Sequence, residues 1–328
     1  MMRRENLLNA VILLGFIAVP LWAWVADEPF IITLSTRAAI LALAGVGLNV
    51  ALGLGGLVSL GHAAFFGIGG YAMGVLAFHA QNYLPLLEAP FLIEGTKSMP
   101  VIWLVAILTA SLAAFLIGAL SLRTSGVYFI MITLAFGQML FFFMISWPAY
   151  GGEDGMSIYI RNGFPGLNTL DPIQFYAIAF TLLLAALWLV AQIQGSAFGL
   201  ALASARQNPT RVTAVGIRPR HLHLVAFTVS GAITGLSGAL FADLNRFVSP
   251  TMFSWQTSGE IMVFVIIGGV GRLFGPVLGA ATFIAMEYWL EGVSDYWHIF
   301  LGAVLLGIVL FARGGLIGLI AGREVAHD

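Results

Sequence analysis

The stretch AAILALAGVGLNVALGLGGLVSLGHAAFFGIGGYAMGVLAFHAQNYLPLL, residues 38 to 87, runs without a single Asp, Glu, Lys or Arg. A membrane-crossing helix takes roughly 20 predominantly apolar residues, so a run of this length holds two crossings. Ten glycines crowd between Gly45 and Gly74 of it. A helix that only faces lipid has no use for so many. Glycine either lets backbones approach closely, as Gly70 and Gly74 could at four-residue spacing, or lets a helix break where it lines a cavity.

Outward from that stretch the pattern repeats. Residues 6 to 26, 98 to 122, 124 to 152, 172 to 205, 221 to 242 and 296 to 312 are also free of charged side chains. The stretch 257 to 292 is interrupted by Glu260, Arg272 and Glu287, and reads as two shorter helices meeting near Gly271 to Gly275. With 60% hydrophobic residues, 25 Phe and 39 Gly, the composition lies outside the range of soluble domains. The mean hydropathy of +0.97 agrees. The expectation is an all-α polytopic membrane protein, one domain over residues 1–328 with about ten crossings, eight or nine if Gly-broken pieces are re-entrant. The first run, after Arg3 and Arg4, is too long for a signal-peptide core and lacks a clean cleavage site, so it counts as a membrane helix.

Charge then orients the chain. With a cytoplasmic N-terminus and alternating helices, Arg3, Arg4, Arg123, Arg206, Arg211, Arg218, Arg220, Arg272, Arg313 and Arg323 fall inside, against Arg37, Lys97, Arg161 and Arg246 outside. That is the bias the positive-inside rule requires. Of the acids only Glu5, Glu324 and Asp328 fall clearly inside, while the loops around Asp27, Glu88 and Glu153 face out. Both termini are then cytoplasmic. Arg123 and Arg313 read as helix-end anchors, Glu260 as lying near the outer end of its span, and Arg272 with Glu287 as an ion pair across the break.

The one basic face outside lipid is the loop 195 to 221, with Arg206, Arg211, Arg218, Arg220 and His221 and no acid. Its local chemistry predicts a short helix over 209 to 215. Asn208 is a good N-cap, Pro209 suits the first helical position, and Gly216 can take the left-handed conformation that ends a helix. Val212 and Val215 are expected on one stripe with Arg211 beside them. So short a helix is unstable alone and needs a partner.

Polar residues at membrane depth are candidates for a transport path. They are Asn49, Ser59, His62 and Gln138, together with a second glycine cluster at 268 to 279. Tight helix packing explains the glycines equally, and His62 could equally tie two helices together. Lys97, the only lysine, is not preceded by a phosphate-binding loop, so the chain supplies no nucleotide site. No metal-ligand spacing occurs within a span, there is no Cys, and a net charge of −1 gives no reason to expect nucleic acid.

Three ordered blocks, GLNVALGLGGLVSLGHAAFFGIGGY (47 to 71), GLALASARQNPTRVTAVGI (199 to 217) and IIGGVGRLFGPVLGA (266 to 280), resemble the permease subunits of branched-chain amino-acid ABC importers. The resemblance extends from about Leu34 to Gly322, and the group includes relatives for urea and short amides. It implies a multi-pass protein of the bacterial cytoplasmic (inner) membrane that needs no cofactor of its own, since partner subunits bind ATP. The implied partners are two cytoplasmic ATPase subunits, a second, related permease and a binding protein outside. It also implies that 203 to 217 is the coupling helix seated in the ATPase, with Arg206, Gln207, Asn208, Pro209, Thr210, Arg211 and Gly216 at that contact. The family carries acids where this chain has Gln207, Asn208 and Pro209, so docking here leans on shape and arginine. The competing class is a secondary transporter or channel acting alone.

Overall fold

A computed structural model describes residues 2–87, 93–292, 297–311 and 314–321. Arg313, Gly322, Arg323, Glu88, Glu324 and Asp328, which enter the sequence reading above, lie outside the described residues. The helices, in order, are α1 (Met2–Val25), α2 (Pro29–Asn49), α3 (His62–Asn82), α4 (Met99–Ser121), α5 (Val127–Ile145), α6 (Pro172–Gly195) and α7 (Ala197–Gln207). They continue with α8 (Pro209–Ala214), α9 (Pro219–Asn245), α10 (Trp255–Gly268), α11 (Gly275–Glu291), α12 (Trp297–Phe311) and α13 (Gly315–Ala321).

Seven of the described helices are long and apolar enough to cross a membrane: α1, α2 with its continuation to Leu54, α3, α4, α5, α6 and α9. The other apolar runs appear as α10, α11 and α12, of 14, 17 and 15 residues. The expected break between two short helices is there, with α10 ending at Gly268 and α11 beginning at Gly275. The charge-free run 172 to 205 is not one element. It splits at Ser196, whose hydroxyl accepts from Gly199 N and starts α7.

α2 is the axis of the bundle. It is buried on every side from Ala38 to Asn49, which is what a helix apolar all round requires. It packs against α1, α6, α9, α10 and α11, and α9 packs in turn against α3 and α4. The α3–α9 contact is backbone on backbone. A methyl group at Gly69 would overlap the Gly235 carbonyl, and one at Gly238 would overlap the Phe66 carbonyl. Glycine here serves close approach, so the helices meet by van der Waals contact where lipid offers no hydrophobic drive. Small hydroxyls fasten the same core: Ser237 donates to the Ile40 carbonyl at 2.6 Å and Ser230 to that of Gly47 at 2.6 Å. α1, α4 and α5 leave Leu14, Trp22, Leu104, Leu112, Met139 and Phe142 exposed, a face suited to lipid or another membrane subunit.

Polar contacts collect at the two ends of the bundle. At the α7–α8 end Arg272 pairs with Glu5 (3.6 Å), and Arg220 donates to the Ala119 carbonyl (2.8 Å). At the opposite end Arg37 pairs with Glu287 (2.9 Å), Asn162 donates to Asp243 (3.1 Å), and a short strand at Met156–Ser157 pairs with one at Phe247–Val248. The expected Arg272–Glu287 pair is therefore wrong. Arg272 precedes α11 and Glu287 lies near its far end, so at 1.5 Å per residue the helix holds them roughly 20 Å apart.

Candidate functional site

The basic loop folds as its caps dictate. Asn208 is extended (φ −152°), and its side chain accepts from Arg211 N at 3.1 Å. Pro209 opens α8, which is six residues long and ends at Ala214, with Val215 as C-cap. Gly216 follows at φ +90°. The expected Val212–Val215 stripe does not form. Val212 is 8% exposed, whereas Val215, already past the helical turn, is 79% exposed. Gln207, Pro209, Thr210, Arg211 and Gly216 are also exposed. The loop thus presents Val215 and Ile217 between Arg211 and Arg218, an apolar contact rimmed by guanidinium groups.

Arg206, in the last turn of α7, is exposed as well, but its guanidinium reaches back to the bundle. Its Nη1 donates to the Gly53 carbonyl, and its aliphatic stem lies over Gly56. Gly53 belongs to a π-helical turn, Val50–Leu54, that continues α2. Just inside that turn Asn49 is spent on the neighbouring hairpin. Its Nδ2 donates to the Arg272 carbonyl (2.9 Å) and its Oδ1 accepts from Gly271 N (2.9 Å).

A second group forms where the 50-residue run breaks. After the π turn the chain is irregular through residues 55–61, and α3 starts at His62, which is fully buried. His62 Nε2 lies 2.7 Å from Ser230 Oγ. With the Ser230 hydroxyl donating to Gly47, His62 is assigned as the donor to Ser230 through Nε2–H. Its ring stands edge-on to Phe65 (5.4 Å) and Phe227 (5.6 Å), and Nδ1 has no hydrogen-bond partner among the described residues. Ser59 is buried and accepts from Gly61 N (3.2 Å). Ser258 accepts from Ala63 N (2.8 Å) and so satisfies an amide at the α3 N-terminus. Gln138 lies on α5, five residues after Thr133, whose backbone abuts Gly61, and its Nε2 is buried without a partner among the described residues.

Ser59 and His62 thus share one break, bordered by the helix that carries Gln138. Asn49 belongs with Arg206 at the α7–α8 end. Sequence reading missed Ser230 and Ser258, although α9 carries a signal: Ser230-Gly231, Thr234-Gly235 and Ser237-Gly238 recur at helical spacing. It also missed the clamp opposite the coupling loop. Arg161 donates to the carbonyls of Thr169 (2.9 Å) and Leu244 (3.1 Å) and lies 4.4 Å over the Phe175 ring. Burial pulls the Arg161 pKa down, while the Asp243 carboxylate opposes that shift.

A buried, Gly-broken helical bundle with a basic loop at one end defines a polytopic membrane transport protein. The profile of the family described as "Branched-chain amino acid transport system / permease component" matches residues 30–309, and this chain belongs to that family. It is 26% identical over 311 residues to the high-affinity branched-chain amino acid transport system permease protein LivM of Escherichia coli, covering 87% of this chain and 69% of LivM. The LivM protein of Salmonella typhimurium matches to the same extent. The autoinducer 2 import system permease protein LsrC of Salmonella paratyphi B is 30% identical over 164 residues, 45% of this chain and 46% of LsrC. No solved structure matches. Permeases of this kind work with ATPase and substrate-binding partners, and the chain is a multi-pass inner-membrane protein.

Proposed function

We propose that this chain is the membrane-spanning permease subunit of an ATP-driven importer and forms, with a second, related permease, the path for branched-chain amino acids delivered by a binding protein outside. The observation that carries the reading is α8, a six-residue capped helix that leaves Val215 and Ile217 exposed among arginines. A helix of that size gains stability from a partner, and two cytoplasmic ATPase subunits, one per permease, are the partners that fit. The chain supplies no phosphate-binding loop, so it is not an enzyme and ATP is bound by those subunits. The loop end is then cytoplasmic, with both termini on that side, in keeping with the excess of arginines there. The whole chain acts as one permease domain, and 195–221 is its coupling loop.

The path follows the break at 55–61, with Ser59 and His62 on it and Gln138 offering an unspent amide from α5. Asn49 holds the hairpin beside the path.

The test is reconstitution of this chain with its ATPases, second permease and binding protein in proteoliposomes. Labelled leucine should accumulate only with ATP and only when the ATPases are present. Uptake by this chain alone would overturn the reading in favour of a secondary transporter, and uptake of autoinducer 2 or urea in place of leucine would reassign the substrate.

A further inference from the structure

The coupling loop has a second attachment, which points into the membrane domain. α2 ends in a π turn, and the amides of Gly55, Gly56 and Leu57 donate to the carbonyls of Val50, Leu52 and Ala51. Beyond Leu57 the chain is no longer helical, so the Gly53 carbonyl is left at the end of the ladder. Orphan carbonyls at a helix C-terminus attract cations, both by hydrogen bonding and through the helix dipole. Here the cation comes from 153 residues downstream, as Arg206 Nη1 donates to that carbonyl. Gly56, at φ +68°, lets the guanidinium stem pass. A methyl group at Gly56 would lie 2.8 Å from Arg206 Cγ.

On its other side Gly53 touches the α10–α11 hairpin so closely that a methyl group there would lie 2.7 Å from Gly271 Cα. Asn49, one turn earlier, binds the same hairpin through Gly271 N and the Arg272 carbonyl. Arg272 reaches Glu5 of α1. A single line of contacts therefore runs from the last turn of α7, one residue from the Asn208 cap of α8, through the end of the central helix to the hairpin and α1. π turns are sites of irregular, adjustable hydrogen bonding and recur at functional positions in helices.

We propose that Arg206 is a positioning residue, a latch that ties movement of the coupling helix to the π-helical end of α2 and thereby to the α10–α11 hairpin. It acts on the permease itself and does not dock on the ATPase. The inference rests on the importer reading above. A shift of α7 carries Gly53 with it or breaks the Arg206 bond, and either event releases or drags the hairpin held by Asn49.

The experiment uses the full importer complex in nanodiscs, with ATPase activity measured with and without leucine-loaded binding protein. Arg206→Ala should leave the ATPases co-purifying, while stimulation by loaded binding protein falls about tenfold, the scale of one lost charge-assisted hydrogen bond. Arg206→Lys, which can still donate once to Gly53, should recover much of the stimulation. Gly56→Ala, whose methyl group would press on the Arg206 stem, should reproduce the defect while leaving the Arg206 side chain itself in place. Loss of ATPase co-purification in Arg206→Ala, with Gly56→Ala normal, would show that Arg206 docks on the ATPase and would overturn the latch. Normal stimulation in both variants would overturn it as well. A wild-type complex whose hydrolysis ignores the loaded binding protein would sink the importer reading, and the latch with it.

Discussion

His62 shows what one polar residue does at membrane depth. Its Nε2 is hydrogen-bonded to Ser230, so the side chain ties α3 to α9, and the ring sits edge-on between Phe65 and Phe227. In His62→Leu the Ser230 hydroxyl still has the Gly47 carbonyl to bond, so no buried donor is stranded. The cost to folding should be about 1 kcal/mol, that of one ordinary hydrogen bond. Membrane levels should therefore stay normal while leucine uptake falls about tenfold, the scale of a lost hydrogen-bonding contact to substrate. Unaltered uptake at normal expression would take His62 off the path and leave it a tie between helices. The residue was legible because histidine is costly in lipid and stands out in an uncharged run. Its partner Ser230 was not, because a serine inside a helix can always bond its own backbone, as Thr234 does to the Ser230 carbonyl at 2.9 Å.

At the scale of one element, α8 divides in the same way. Asn208, Pro209 and Gly216 mark its ends because capping is local chemistry, set by residues within one turn. Which valine faces the protein is decided by α7 and α9, so the burial of Val212 and exposure of Val215 could not be read from their three-residue spacing. α7 was hidden for a related reason. The break at Ser196 falls within a charge-free run, and a hydroxyl cap gives little hydropathy signal. Gly216 is where this element is testable. At φ +90° a β-branched side chain is strained by about 1–3 kcal/mol, enough to unwind a six-residue helix. Gly216→Val should leave the bundle folded and lower the ATPase response to loaded binding protein, whereas Gly216→Asn should be milder, since Asn tolerates left-handed backbone. An undiminished response in the valine variant would mean that the helix end has no part in coupling.

At the scale of the molecule, crossings and charge bias were legible because lipid imposes both on any chain. Pairings across the bundle were not, since they depend on which helices become neighbours. Arg272 found Glu5 and Glu287 found Arg37, each more than two hundred residues away. Those pairings now sharpen the topology, because Glu5, Arg272, Asn49, Gly53 and Arg206 form one connected set at the α7–α8 end, while Arg37, Glu287, Arg161 and Asp243 belong to the other. The absence of any cysteine from the sequence makes this directly measurable, because one introduced thiol is the only reactive one in this chain. Val215 is 79% exposed at the first end and Tyr159 is 85% exposed at the second. In intact cells stripped of their outer membrane, Tyr159→Cys should react with a membrane-impermeant maleimide and Val215→Cys should not. After lysis, or with a permeant maleimide, both should react. The reverse pattern would turn the molecule over, put the basic loop outside the cell and remove the ATPases from its reach.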